Sequence, residues 1–361
     1  MLNENTCRTM TTACEIGEMA VPPELYGPYL PISDEEVEIF NDILSDEIDS
    51  DFTSSIGCCD RCYQDFRGHW PNVAFRNHEF QSLAMEADYL INNSRVLQLY
   101  SPAEISTLKH LVSCPRCLES SIRGVWIYEH RFSDAPRIEK AIDELLKLGI
   151  NTPFLMLEHA FARDVLNEIR QQASRVGSAV LDYKVFRART VVSVEKMGQQ
   201  PDKLETYGIP PAPLVGEGRF NHAGNPMLYV ASTEMTAAAE LGSPGQDAFV
   251  AMLHVKGSLR VLDLVDISDE QPGFELLDAL ANSALLAAPR TGEGWLKRQY
   301  VFSRFVADCA RSAGFDAIRY GSNQDVGGFN YVLLTPPDDI TSLITLQSYS
   351  RVQCPSPSKR Y

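Results

Sequence analysis

GEGRFNHAGNPMLYVASTEMTAAAELG, residues 216–242, sets a loop, a strand and a helix in direct succession. The glycines Gly216, Gly218 and Gly224 allow backbone conformations that other residues avoid. Such a loop brings Arg219 and Asn221 close to a ligand, and Arg219 has the fork that suits a phosphate or a carboxylate. MLYVA reads as a short strand that places Tyr229 on a sheet face. Thr233 is the expected N-cap of the helix that follows. Ala237, Ala238 and Ala239 let that helix approach a neighbouring backbone. Glu240 ends it, at the negative pole of the helix, where the macrodipole does not help a carboxylate. Capping gives no reason for a glutamate there. The order of elements is not that of a dinucleotide fingerprint, and no GK[ST] follows the glycines. The residues by themselves describe an anion-binding loop with a carboxylate nearby.

The texture on both sides of this stretch differs. From about residue 178 the pattern mixes strands and helices. LDYKVFRARTVVSV reads as strands. AFVAMLHV and SLRVLDLV are β-rich runs split by Lys256-Gly257-Ser258, a hairpin signal. FELLDALANSALL and RQYVFSRFVADCARSAG read as helices, the second stopping at Gly314. DAIRYGS and FNYVLL read as strand, loop, strand. The polar residues 347–361 are expected to fray. Before 178 the chain reads as mainly helical. PAEISTLKHLV opens after Ser101 with Pro102 at the first helical position. APRIEKAIDELLKLG buries Leu145, Leu146 and Leu148, with Gly149 as its stop. The expected organisation is an acidic arm over 1–56, a helical region over 57–177, an α+β domain over 178–346 and a tail over 347–361.

Of 361 residues, 44% are hydrophobic and 22% charged, as in a water-soluble globular protein. No apolar run is long enough to span a bilayer, and the first residues lack the apolar core of a signal peptide. The expectation is a cytoplasmic protein with no membrane partner. Net charge is −16, of which −12 falls within residues 1–56. No basic patch suits a nucleic acid. PISDEEVEIFNDIL carries a capping box, Ser33 with Glu36, and predicts a short acidic helix. The arm reads either as a docking or self-inhibiting segment laid over the arginines, or as a solvated tail; like-charge blocks favour the tail.

Four of the nine cysteines form two CxxC pairs, Cys59 with Cys62 and Cys114 with Cys117. A CxxC turn brings both sulfurs to one side, so the two pairs supply four thiolates for structural zinc. The 51 residues between the pairs are more than most zinc fingers use. A helical insert can return the chain to its start. Cys58 and His69 are substitute ligands. The competing readings are free buried cysteines or a redox pair, although neither pair opens a helix in a βαβ setting.

From Tyr183 to Leu334 the chain resembles the RES domain family, named for an arginine, a glutamate and a serine. The resemblance rests on several motifs in order. Phe186-Arg187 matches the aromatic-arginine strand, and Gly218-Arg219-Phe220-Asn221 matches the glycine-rich loop. Gly224, Pro226 and Tyr229 match the next segment, and Ala237 with Glu240 the alanine-rich helix. Asp263-Leu264 follows, then Gly314 to Ile318 leading to Ser322. Phe220 stands where tryptophan is frequent, and Ala188 where some members carry tyrosine. The front half is similar to the HEPN-like extensions that precede some RES domains, here of zinc type, but it has no RxxxxH ribonuclease motif.

The resemblance implies a fold akin to diphtheria-toxin-type ADP-ribosyltransferases, with NAD as substrate. It implies a toxin-type enzyme that cleaves NAD by phosphorolysis or hydrolysis, or that transfers ADP-ribose to a protein. A non-catalytic NAD-binding regulator is the rival reading. Inorganic phosphate, an antitoxin and a protein target are the implied partners. Breaking the nicotinamide–ribose bond builds positive charge at ribose C1, which a carboxylate stabilises in the transition state. Glu240 is the candidate for that charge. Arg187 and Arg219 suit phosphate groups, Tyr229 offers a face for nicotinamide, and Asn221 and Ser322 offer hydrogen bonds to ribose or phosphate. No base sits near Ser322 in the pattern, so it has no covalent role.

Overall fold

The computed structural model describes residues 32–51, 55–76, 83–129, 132, 135–180, 184–287 and 300–356. Residues 1–31 of the acidic arm lie outside the described residues. The first half contains α1 (Asp34–Asp51), β1 (Ser55–Cys58), α2 (Asp60–His69), α3 (Pro71–Arg76), β2 (Met85–Glu86) and α4 (Ala87–Asn92). It continues with α5 (Val96–Leu99), α6 (Pro102–Leu108), β3 (Gly124–Glu129), α7 (Ala135–Asn151) and α8 (Ala160–Arg175).

The capping box forms at the head of α1. The Ser33 N–H donates to Glu36 Oε2 at 2.7 Å, and the Glu36 N–H to Ser33 Oγ at 3.2 Å. Phe40, Leu44 and Ile48 recur every four residues and so share one helix face. That face is buried against Leu90, Ile91, Val96, Leu108 and Val125. The solvated-tail reading therefore fails for α1: Asp34, Glu35, Glu36, Glu38, Asp42 and Asp46 are exposed while an apolar stripe joins a core. Nor does α1 act as a shield for the arginines, because its buried face belongs to the N-terminal half. That half also holds a small antiparallel sheet, in the order β1-β3-β2, within a stretch that reads as helical.

The second half contains β4 (Ala179–Val180), β5 (Lys184–Thr190), α9 (Val191–Lys196), β6 (Leu228–Ala231), α10 (Glu234–Ala239), β7 (Asp247–Val255), β8 (Ser258–Leu259) and β9 (Val261–Asp263). It closes with α11 (Phe274–Asn282), α12 (Ala284–Ala287), α13 (Val301–Ser312), β10 (Ala317–Gly321), β11 (Phe329–Leu333) and β12 (Ile344–Gln353). Seven strands form one mixed sheet in the order β12-β7-β5-β6-β11-β10-β9. The protein is α+β, with a helical N-terminal region and a sheet-bearing C-terminal region. Among the described residues, no helix is long and apolar enough to cross a membrane.

Several local expectations give way to tertiary contacts. VVSV is not strand but helix α9, because the Thr190 hydroxyl accepts from the Ser193 N–H at 3.3 Å and turns the chain. β7 and the run after Gly257 do not form a hairpin. Gly257 has φ +80°, and the chain leaves the sheet there, so β8 pairs with β4 and β9 runs parallel to β10. The expected tail from 347 is β12, which pairs with β7 from Ile344↔Val255 to Gln353↔Asp247. It is polar because it is an edge strand, half of whose residues face water. Gly149 does not stop α7, which continues to Asn151. Gly149 is buried, and a Cβ there would lie 3.1 Å from Val301 Cγ1, so the glycine permits contact with α13.

One core spans the expected boundary at 177. Ile142, Leu145, Val165 and Ile169 of α7 and α8 share it with Leu277, Phe302 and Val306 of α11 and α13, and with Ile318 and Val332 of the sheet. These two helices thus belong by packing to the C-terminal body. The opposite face of the sheet buries Val185, Leu228, Val230, Leu253 and Tyr331.

Candidate active site

β5 and β6 share a single paired position, Phe186 with Ala231. Beyond it they separate, and Arg187 to Thr190 pair only with β7. Across this opening lies α10, packed through Ala237 and Ala238 against Ala188, Ala231 and Val250. The small side chains bring the helix close, as the alanine run predicts. A cavity of about 280 Å³ results, lined among others by Arg187, Arg189, Tyr229, Glu240, Tyr320 and Asn330.

Glu240 is the C-cap of α10. The helix starts as expected, with the Thr236 N–H donating to Thr233 Oγ1 at 3.0 Å. Two donors offset the unfavourable helix end. Ser322 Oγ and Asn330 Nδ2 each donate to Glu240 Oε1 at 2.7 Å. Oε2 has no hydrogen bond among the described residues. The Ser322 hydroxyl oxygen in turn accepts from the Gln324 and Asp325 N–H groups, both at 3.1 Å. Its proton faces a carboxylate and its lone pairs face amides, so it ties Glu240 to the loop after β10. Thr236 Oγ1 donates to Asp325 Oδ2 at 2.6 Å, a second tie between α10 and this loop.

Arg187 is 8% exposed. It donates from Nη1 to the Tyr229 carbonyl at 2.9 Å and from Nη2 to the Gly208 carbonyl at 3.2 Å. Its Nε is buried without a partner. Arg189 donates from Nε to the Thr206 carbonyl at 3.3 Å and from Nη2 to the same Gly208 carbonyl at 3.2 Å. Burial holds both guanidinium pKa values below the usual range, and for Arg187 the charge of Arg189 adds to the effect. Among the described residues neither forms an ion pair. Burying a charge without a counter-ion is costly, and an anion in the cavity would offset that cost.

Arg219 does not line this cavity. Its guanidinium donates to the Leu286 and Gly321 carbonyls and lies 4.7 Å from the centroid of the Tyr320 ring. The expected phosphate ligand thus braces Tyr320, which is a cavity wall. Asn221 is likewise internal. Its Nδ2 donates to the Gly216 and His222 carbonyls, and its Oδ1 accepts from the Tyr229 hydroxyl at 2.9 Å. The Phe220 N–H donates to that hydroxyl at 3.1 Å. Tyr229 therefore offers the cavity its ring, while burial pushes its phenol up to about 12. Of the loop glycines only Gly224 needs its freedom, at φ +75°, while a Cβ on Gly218 would lie 2.1 Å from Asn221 Oδ1.

Arg189, Tyr320 and Asn330 are cavity residues that motif reading missed. Arg189 had a signal: in FRAR it falls two residues after Arg187, hence on the same strand face. Asn330 is a lone amide in the apolar strand FNYVLL, and it is 3% exposed. Asp263, part of the resemblance, serves the fold. It accepts from the Val265 and Asp266 N–H groups and pairs with Arg319 at 2.7 Å.

A second hollow, of about 610 Å³, lies in the N-terminal half beside Asp88, Lys109 and Arg123. It is larger, but Lys109 there faces Asp88 at 3.8 Å, and no residue of the smaller cavity reaches it.

The four cysteines of the CxxC pairs converge. The Sγ atoms of Cys59, Cys62, Cys114 and Cys117 all lie within 4.8 Å of one another, with Cys59 and Cys117 at 3.7 Å. A tetrahedron of ~2.3 Å zinc–sulfur bonds has edges of roughly 3.8 Å. The Cys59 N–H donates to Cys114 Sγ at 3.2 Å. The Glu119 N–H bonds to Cys117, and that bond chiefly holds its thiol down at about 7. Cys58 and His69 are not in the cluster. His69 Nε2 lies 2.9 Å from Asp143 instead. Tyr63, Phe66, Trp70 and Phe132 enclose the sulfurs in a core that also contains Ala279 of α11.

A family model described as RES domain matches residues 196–351. The match extends past Leu334 into β12, and it begins after Arg187, so the place of Arg187 and Arg189 rests on the fold itself. No curated protein matches the chain. Among solved structures, the chain is similar to one in the crystal structure of the M. tuberculosis MbcT–MbcA toxin–antitoxin complex. That likeness has 13% identity and a TM-score of 0.33, and covers 51% of this chain and 92% of that one.

Proposed function

We propose that the cavity between β5, β6 and α10 binds NAD and that the protein cleaves its nicotinamide–ribose bond. The observation that carries the reading is the pairing of opposites across one hollow. Arg187, buried, and Arg189, half-buried, stand on β5 without a carboxylate partner among the described residues. A carboxylate held by Ser322 and Asn330 stands on α10. NAD has the matching form, an anionic diphosphate joined through ribose to a cationic leaving group. The match of residues 196–351 to the RES domain supports the same substrate.

In this reading Arg187 neutralises phosphate charge, and the ring of Tyr229 flanks nicotinamide. Glu240 faces ribose C1. Positive charge grows there as the bond to nicotinamide breaks, and a preoriented carboxylate favours that state over the ground state. Nicotinamide leaves with the bonding electron pair, which neutralises its ring. An acceptor oxygen of water, phosphate or a protein then bonds to C1 and loses its proton. Ser322 and Asn330 keep Glu240 in place, and Arg219 keeps Tyr320 in place. The RES resemblance further suggests a toxin that pairs with a protein antitoxin. The four cysteines would hold a structural zinc ion, and with four thiolates closing its coordination shell it would take no part in the chemistry.

The test is release of nicotinamide from NAD by the full chain, with and without inorganic phosphate. Glu240→Gln is expected to slow release by about a hundredfold or more. Dependence on phosphate marks phosphorolysis, and labelling of a protein by tagged NAD marks transfer. If the wild-type chain leaves NAD intact in buffer, with phosphate and with cell lysate, the reading is wrong.

A further inference from the structure

We propose that Arg189 binds substrate, forming with Arg187 a two-guanidinium seat for a diphosphate group. The name of the substrate rests on the NAD reading; the anion seat does not. Four observations lead to it. Arg187 and Arg189 alternate on β5 and so leave the strand on the same side, and both line the cavity. They share one anchor, the Gly208 carbonyl, at 3.2 Å from each. That common acceptor aligns the two planar groups, which lowers the ordering needed when a ligand arrives. Neither forms an ion pair among the described residues, and the Nε of Arg187 is buried without any acceptor.

Two neighbouring guanidinium groups repel each other, and a ligand with one negative charge relieves only part of that. A diphosphate brings a charge on each phosphorus and an array of acceptors that suits two forks. Arg219 is not the second cation of the seat: it is absent from the cavity lining, and its guanidinium turns to the Leu286 and Gly321 carbonyls and the ring of Tyr320. Burial holds the pKa of Arg187 and of Arg189 down, as expected of cations prepared for a ligand.

Inorganic pyrophosphate is the direct probe, followed by titration calorimetry on the full chain. The wild type is expected to bind it, and Arg189→Gln to weaken binding by about tenfold or more. The KM for NAD should rise by a similar factor, with kcat changing by less than about threefold. Arg189→Lys should recover part of the affinity, since it restores charge without the fork. It also serves as the informative variant should loss of the Thr206 and Gly208 contacts unfold the glutamine one. A merely structural Arg189 would instead lower the melting temperature and leave pyrophosphate affinity per folded molecule and KM unchanged. That result, or no pyrophosphate binding by the wild type, overturns the seat. If the wild type binds pyrophosphate through Arg189 yet leaves NAD intact, the seat stands and the NAD reading falls. If NAD is consumed with the same KM in both Arg189 variants, the seat falls and the NAD reading stands.

Discussion

In the proposed site Glu240 and Ser322 act as one unit, joined by a hydrogen bond. A carboxylate at a helix C-terminus gains nothing from the helix, so its orientation depends on the donors at 2.7 Å from Ser322 and Asn330. Hydrogen bonds to a charged group contribute about 1.5–3 kcal/mol. Ser322→Ala is therefore expected to lower kcat by about tenfold or more with little change in KM, because it misplaces the carboxylate without removing it. The diagnostic is the double variant. Ser322→Ala added to Glu240→Gln should cost almost nothing further, as groups that act together are not additive. Full additivity in steady-state kinetics would mean that the serine touches substrate by itself. At this scale the candidates Arg187, Tyr229, Glu240 and Ser322 were legible in the sequence, but their division of labour was not. Arg219 and Asn221 are charged or polar residues in a glycine loop, which predicts a ligand. The loop folds back on the sheet: Arg219 turns to the Leu286 and Gly321 carbonyls, and Asn221 to the loop's own carbonyls and to Tyr229.

β12 shows what happens at the scale of an element. Its residues, ITLQSYSRVQ, are polar enough to read as a tail. Across from them β7 offers a complete strand edge, with a bulge between Leu346 and Ser348 absorbing one residue. Pairing satisfies the backbone whatever the side chains are. Deleting residues 347–361 is thus expected to leave β7 with an open edge. The shortened chain should lose the cooperative thermal unfolding of the full chain and gain a tendency to aggregate. A frayed tail would predict an unchanged melting curve. Thr190 acts in a similar way on the next residues. The β-branched run Val191-Val192-Ser193-Val194 favours strand by propensity, but one cap turns it into α9. Propensity differences of this kind are small beside tertiary contacts.

The whole molecule is held at two levels. Helices α7 and α8 lie in the core of the C-terminal body, and the cysteine cluster packs behind them, in contact with α11 through Ala279. Asn72 adds a bond from Nδ2 to the Ala281 carbonyl at 2.9 Å. Zinc at the four thiolates would pin both ends of the insert between the CxxC pairs, and metal-binding free energy at such a site is folding free energy. The purified protein is expected to carry a single zinc by elemental analysis, and Cys114→Ser to lose it. Metal loss should lower the melting temperature of the N-terminal half while NAD turnover per folded molecule persists. A metal-free wild type with the same melting curve would dismiss the zinc.

The sequence alone determined the periodic elements and the chemical groups. Caps at Ser33, Ser101 and Thr233, the alanine face of α10, the stop at Gly314, the carboxylate at 240 and the two CxxC turns all follow from local stereochemistry, which acts between near neighbours in the chain. Tertiary structure alone decided which groups meet. The splay of β5 from β6 at Phe186↔Ala231 opens the cavity, and the bond from Ser322 to Glu240 spans 82 positions of chain. Arg189 enters beside Arg187 while Arg219 is withdrawn. Such choices depend on burial and on backbone acceptors supplied by distant segments, Gly208 for Arg187 and Arg189 and Leu286 for Arg219. A linear pattern names a donor but not the acceptor that will claim it.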